Sequence, residues 1–585
     1  MKTLNQHFKF MLSLMVTLGM LLTSCNPNES VDMPDTPEGS PTSSQLDMGS
    51  NIQRDFMGRI VDQSSIPLDN VSITIGNKTA TTDNNGMFKI SDVQVKQRQA
   101  FILAEKPGFL NGMRSVVPTQ GTNMINIMMI TENLAGTVTS GVTSEVSLPN
   151  GTKVGFDGSF KDQNGNAYSG NVDVYMYHLD PANPDNNILM PGSLQAVNQD
   201  GDERVLESYG MLNVELKGDS GQKLNIADGH IATIEMPMDP AQSGVAPSVI
   251  PLWHFDEVNG YWVEDGEATL VSGKYIGEVS HFSWWNCDAQ FPTVDLCMTV
   301  VDASNIPLSN VKVELWRSGQ TYPRIGFSNG NGEICGLIPA NETLTLKAID
   351  QCGIEVYNTT IGPFNSDTNY GDVVMSSVNY SAVTGNLVDC SSQPVTNGYV
   401  TVHYGQEYAS VEVVNGSFTL NMIECASITE FTLEGVNYDT FQTTTPLPFN
   451  FTTPNVGNII ACDTVTEYIS VQIDNDPVDY YLLNLTAQEG DNGTSMYIST
   501  QNSTGSFVVY GNTTTLGTYT SSGSQAFYVE TGINMDFGQP NTLQFTLSNY
   551  GAVNDYIDMN ISGTFTDNDG ILRNLSASIH VLRDM

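Results

Sequence analysis

The sequence predicts an all-β protein, built as tandem β-sandwich domains in a row, and three observations carry that prediction. Short alternating runs such as Val71-Ser72-Ile73-Thr74-Ile75 and Val311-Lys312-Val313-Glu314-Leu315 recur between clusters of Gly, Asn, Asp and Pro. This is the pattern of half-buried strands joined by close turns. No apolar run of helical period is long enough to make a convincing amphipathic helix. One segment recurs three times with identical spacing. The 585 residues are enough for about four domains, each able to hold its own core.

In chain order, Lys2 and Lys9 precede an apolar run over 11–22 that ends in Leu22-Thr23-Ser24-Cys25. A charged start, a short apolar core and small residues before a cut are signal-peptide features, and the run is too short to span a bilayer. The tetrapeptide resembles the lipobox of bacterial lipoproteins. That resemblance implies that residues 1–24 are removed and that Cys25 becomes the lipidated N-terminus. The alternative is an ordinary secretory signal in which Cys25 is incidental; both take the chain out of the cytoplasm. Residues 25–50 are rich in Pro, Ser, Thr, Asp and Gly and lack an apolar period, which reads as a disordered tether.

The repeat begins at Gly58-Arg59-Ile60-Val61-Asp62, followed by Pro67 and Asn70-Val71. Thr299-Val300-Val301-Asp302 with Pro307 and Asn310, and Gly385-Asn386-Leu387-Val388-Asp389 with Pro394 and Asn397, restate it. An Asp that caps a turn, a Pro that fixes φ on the way back and a following alternating strand give each position a conformational reason. Asn85-Gly86, Asn331-Gly332 and Asn415-Gly416 then supply the positive φ that tight hairpins require. These segments resemble the carboxypeptidase regulatory-like domain, a transthyretin-like (Ig-like) seven-strand sandwich. The first copy also carries Ala104-Glu105-Lys106-Pro107-Gly108-Phe109, where the third has Glu434-Gly435-Val436-Asn437-Tyr438 instead. The resemblance places sandwiches at 51–130, 291–380 and, more divergent, 381–463.

Between copies one and two, residues 131–290 hold Leu179-Asp180-Pro181, Glu207-Ser208-Tyr209-Gly210, Trp253-His254-Phe255-Asp256-Glu257 and Val279-Ser280-His281-Phe282-Ser283-Trp284-Trp285. In order and wording this segment resembles the ectodomain of the astroprincin family and of cartilage intermediate layer protein, which implies a matrix or surface protein without a reaction to carry over. Residues 464–585 form a C-terminal β domain, rich in Thr, Ser, Asn and Tyr, that resembles no family.

Sixty-four acidic residues against 22 Lys plus Arg give a net charge of −42, which repels nucleic acid and anionic lipid surfaces. Of eight cysteines, the seven after Cys25 lie between Cys287 and Cys462 without a C-x-x-C pair, so a zinc ribbon or thioredoxin-type site has no support. The odd count leaves at least one thiol free or intermolecular. In a sandwich of the resembled type the first and last strands run parallel. Following strand direction then predicts disulfides Cys390–Cys462 and Cys352–Cys425.

Candidate chemistry is sparse. His254 and Glu257, with His281, are the only grouping that could converge on a metal, yet strand alternation sends His254 and Glu257 to opposite faces. Gly326-Phe327-Ser328-Asn329-Gly330 has the form of a nucleophile elbow but runs into a hairpin where the elbow needs a helix. Asp200 with Asp202 and Asp567 with Asp569 offer hard oxygen ligands that suit calcium, and equally suit ordinary turns. Trp253, Trp262, Trp284 and Trp285 offer either a ligand platform or a sandwich core or seam.

These readings give a lipid-anchored envelope protein, resembling Bacteroidota lipoproteins of the outer membrane. It acts as a non-enzymatic structural, adhesive or binding scaffold, with no catalytic residues and no cofactor; calcium is the one ion its acidic loops suit. Its partners are the membrane, through the lipid, and a glycan or a matrix or surface protein, bound on 131–290 and not on the repeats. The alternatives are a glycan-capture lipoprotein of a polysaccharide uptake system, and a hydrolase with its site in 131–290 or 464–585.

Overall fold

The computed structural model describes residues 46–584 apart from 84, 351–352, 377, 405–406, 426–427, 441, 445, 463, 466, 475–478, 482–484, 491–492, 503–504, 522–526 and 554. The signal segment, Cys25 and most of the tether therefore lie outside the described residues. The described chain is all-β, in successive sandwiches; among these residues the one α-helix is the single turn Asn186–Leu189. No described helix is long and apolar enough to cross a membrane.

The repeated turns show why the repeated residues recur. In copy one the Asp62 carboxylate accepts backbone N–H bonds from Ser64 at 2.8 Å and Ile66 at 2.9 Å. Asp302 accepts from Ser304 and Ile306, and Asp389 from Ser391 and Gln393, in the same arrangement. Each loop passes through a left-handed residue, Ser65, Asn305 or Ser392, before the proline bridges back to the first strand. Gly86 follows with φ +71°, and a Cβ there would sit 2.3 Å from the Ile60 carbonyl. Gly332 meets the Val300 carbonyl in the same way. The glycines are backbone requirements.

In copy one the strand Asn51–Asp62 runs antiparallel to Met87–Lys96 and parallel to Thr122–Met129. Copy two repeats this with Trp284–Asp302, Glu333–Pro339 and Thr368–Met375, and copy three with Tyr380–Asp389, Ser417–Ile423 and Asn455–Ala461. A second sheet closes each core; in copy one Phe56, Ile60, Ile73, Phe88 and Ile102 are buried between the layers. The C-terminal domain is a further sandwich of a six-stranded and a four-stranded sheet around Ile469, Phe507, Phe545 and Ile579.

The domains are joined by more than their linkers. Trp284–Asp302 crosses residue 290 unbroken, pairing first within the middle domain and then within copy two. Copy three packs back on copy one through Met57, Met87, Tyr399 and Val436. The last residues of the predicted tether are also packed: Leu46 and Met48 lie buried against Val197 and Tyr261, since two apolar side chains suffice to seat a short segment.

Cys390 is joined to Cys462, the pair that the parallel first and last strands bring to one end. Cys425 is disulfide-bonded, while Cys352 lies outside the described residues. The sequence reading missed Cys297–Cys335, which joins residues directly opposite on adjacent antiparallel strands. Cys287 is a free, buried thiol, and burial raises its pKa.

Candidate functional site

The four tryptophans expected as a ligand platform are interior. Trp253, Trp262 and Trp285 are 0% exposed and Trp284 is 2% exposed. Three of them, Trp253, Trp262 and Trp284, fill the seam where the middle domain meets Val61, Met113 and Met128 of copy one; Trp285 belongs to the middle-domain core. The indole N–H groups of Trp253, Trp262 and Trp285 donate to the carbonyls of Asp288, Ser193 and His281. Satisfied and enclosed, these rings present nothing to a ligand.

The larger feature is a cavity of about 590 Å³ bounded by copy one, the middle domain, copy two and the edge of copy three. The stretch 180–202, predicted as an irregular surface, forms part of its wall through residues 181–184, 186–188, 190 and 193–195. The fifth tryptophan, Trp316, stands on the wall contributed by copy two.

Three guanidinium groups face the cavity. Arg98 is neutralised by Glu203 at 3.0 Å and Asp295 at 2.9 Å, tying copy one to the middle domain and to copy two. Arg114, on strand Gly112–Val116, has no carboxylate within ion-pair distance among the described residues and donates only to the Gly192 carbonyl, at 3.3 Å. Burial lowers its pKa to about 10, so it remains charged at neutral pH. Arg324, on Arg324–Phe327, is likewise lowered to about 10 by burial and donates to the Leu206 carbonyl. Its acidic neighbours are Asp288 and Glu207. Burial pushes the Asp288 carboxyl well above the carboxylate range, and Glu207 is paired with Arg317. Sequence reasoning missed both arginines; the available signal was a cation inside a strand of a chain with only 22 Lys and Arg.

The other candidates are resolved by their partners. Ser328 donates its hydroxyl to the Leu308 carbonyl and accepts from the Val311 N–H, as Thr82 does with Leu68 and Val71 in copy one. It is a turn residue common to the sandwich. Asp567 repeats the aspartate turn, accepting from Asp569 and Ile571 N–H groups, and its other oxygen accepts from Arg573 at 2.9 Å; Asp569 is exposed. Asp202 pairs with Arg204 at 2.6 Å beside the exposed Asp200.

Of the histidine grouping, His254 and His281 do meet, with ring centroids 4.7 Å apart. Glu257 does not join them: it lies beyond the strand, where its charged neighbours are Lys223 and Glu215. Asp265 takes its place, completing the one His/Cys/Asp/Glu cluster with metal-ligand spacing among the described residues.

No family model matches the chain. Over 120 residues it is 29% identical to cartilage intermediate layer protein 1 of Sus scrofa, a stretch covering 20% of this chain and 19% of that protein. With the Homo sapiens protein it shares 29% identity over 112 residues, 19% of this chain and 9% of the other. The chain thus spans less than a fifth of these curated relatives' length. Among solved structures, the shaft pilin SpaA from Lactobacillus rhamnosus GG aligns with 29% of this chain and 98% of its own, at 11% identity and a TM-score of 0.17. BcpA, the major pilin subunit of Bacillus cereus, aligns with 56% of this chain and 99% of its own, at 9% identity and a TM-score of 0.12. TM-scores of this size support no transfer of function.

Proposed function

We propose that this protein is a non-enzymatic binding scaffold of the bacterial envelope, tethered through lipidated Cys25, whose sandwiches enclose a cavity for a small carboxylate-bearing ligand. The observation that carries the reading is Arg114, which faces the cavity with no carboxylate within ion-pair distance among the described residues, beside Arg324 on the same wall, in a chain of net charge −42. An unpaired buried cation is costly, and an incoming carboxylate offsets that cost through charge-assisted hydrogen bonds. The volume lies in the range of small-molecule sites, about 300–1,000 Å³. Trp316 on the same wall favours, as a second reading, an acidic sugar within glycan capture, since an indole face stacks on apolar ring surfaces.

The test is calorimetry on the mature chain with carboxylates, uronic acids and their neutral counterparts. Binding restricted to the acids, and weakened at least tenfold in both Arg114→Gln and Arg324→Gln, supports the reading. Equal affinity for neutral counterparts, or full affinity in both variants, overturns it. Cell fractionation of Cys25→Ala tests the anchor separately, through release of the protein from the membrane pellet.

A further inference from the structure

We propose that His254, Asp265 and His281 form a binding site on the middle domain for a transition-metal dication of the zinc type. The site stands apart from the cavity and does not depend on it.

The sheet assembles it from three segments remote in sequence. His254 lies on strand Val249–Asp256, directly opposite Val263 on one side and Trp285 on the other. Asp265 is two residues beyond Val263, so alternation returns it to the His254 face. The register shift between Pro251 and Trp253 marks a bulge at this level, a device that re-aims side chains. His281 reaches the same face from the turn before strand Trp284–Asp302, and the Trp285 indole, donating to the His281 carbonyl at 3.0 Å, holds that turn.

The donor geometry fits one small ion. One ligand atom from each residue lies within 4.8 Å of the others, and His254 Nδ1 is 3.8 Å from the nearer Asp265 oxygen. That separation is too long for a hydrogen bond, and His254 Nδ1 is a buried atom with no hydrogen-bond partner. A zinc-type ion binds imidazole nitrogen and carboxylate oxygen at about 2.0–2.2 Å, which sets its donors about 3–3.5 Å apart. Small side-chain rotations therefore close the site. Asp265 is 45% exposed, which leaves the outer coordination positions open to water. Two imidazoles and one carboxylate select a borderline metal over calcium or magnesium, which prefer all-oxygen sites.

The probe is Zn²⁺ alone, titrated calorimetrically into the mature chain in excess Mg²⁺ so that the acidic surface is occupied, with Co²⁺ as the spectroscopic substitute. One saturable equivalent is expected, with a visible Co²⁺ absorption band and quenching of Trp285 fluorescence by Co²⁺. Affinity should fall at least tenfold in His254→Gln and in Asp265→Asn; the second replaces a half-exposed side chain by its isostere and so leaves folding intact. Uptake that is weak, distributed over many sites, or equal in Asp265→Asn and the unaltered chain overturns the assignment.

Discussion

Two regions where sandwiches meet bury charge in opposite ways. Between copies one and three, the Asp83 carboxylate accepts from the Asn85 and Met87 N–H groups, each at 2.9 Å, and from the Tyr399 hydroxyl at 2.7 Å. Asn85 also donates to that hydroxyl, and Met57, Met87 and Val436 exclude water around it. Asp83, Asn85 and Tyr399 satisfy one another, so the contact serves structure. At the central cavity Arg114 and Arg324 are equally desolvated but face open volume. Of the carboxylates on the cavity wall, Glu314 is paired with Lys312 and Glu333 accepts from Asn329, and neither is within ion-pair distance of Arg114. Completed polar contacts hold domains together, whereas an incomplete one marks where a ligand is accommodated.

The largest effect expected from this contrast is at Tyr399. Its ring is fully buried and its hydroxyl completes the Asp83 site. Tyr399→Ala removes both and should cost about 3–5 kcal/mol. Hydrogen exchange is the suitable readout, with protection lost at residues 83–87 and across strand Gly398–Tyr404. A loss confined to copy three would mean that the two sandwiches are only adjacent.

Acidification acts on the same contact through Asp83, whose pKa burial raises from 3.8 to about 6. The folded state then holds its proton more tightly than the unfolded chain, so Asp83 destabilises above pH 6 and the penalty disappears as pH falls from about 6 toward 4. Lowering the pH through that window should strengthen the seam by roughly 3 kcal/mol at most. Asp83→Asn should abolish this component. A pH–stability curve from pH 7 to 4 that is the same for both proteins would remove Asp83 from the account.

What the sequence disclosed follows the same division. The turn residues Asp62, Pro67 and Gly86 were legible because each acts within a few residues of itself, and the three copies agree in detail. Cys390–Cys462 was legible because strand direction alone brings its ends together. Cys297–Cys335 was not, because it depends on the register of one hairpin. The tryptophans were ambiguous, since a seam and a platform have the same composition, and only packing against Met113 and Met128 decides between them. Arg114 and Arg324 reach one cavity only after the middle domain has been laid against two sandwiches. Similarly, Glu257 is near His254 in sequence, but Asp265 is its partner because a bulged hairpin folds it back.

The smallest effect expected is the one that separates the two regions most directly. Arg114→Met keeps most of the aliphatic stem while removing a desolvated charge that no carboxylate offsets. The loss is the single 3.3 Å hydrogen bond to the Gly192 carbonyl, a long and weak one. The unliganded variant should therefore be as stable as the parent, or more stable by about 1 kcal/mol, in thermal unfolding at neutral pH. Residues kept for a ligand commonly carry such a stability cost, whereas structural ones do not. A destabilisation comparable to that of Tyr399→Ala would make Arg114 a second structural contact, and the cavity would lose its claim to be a binding site.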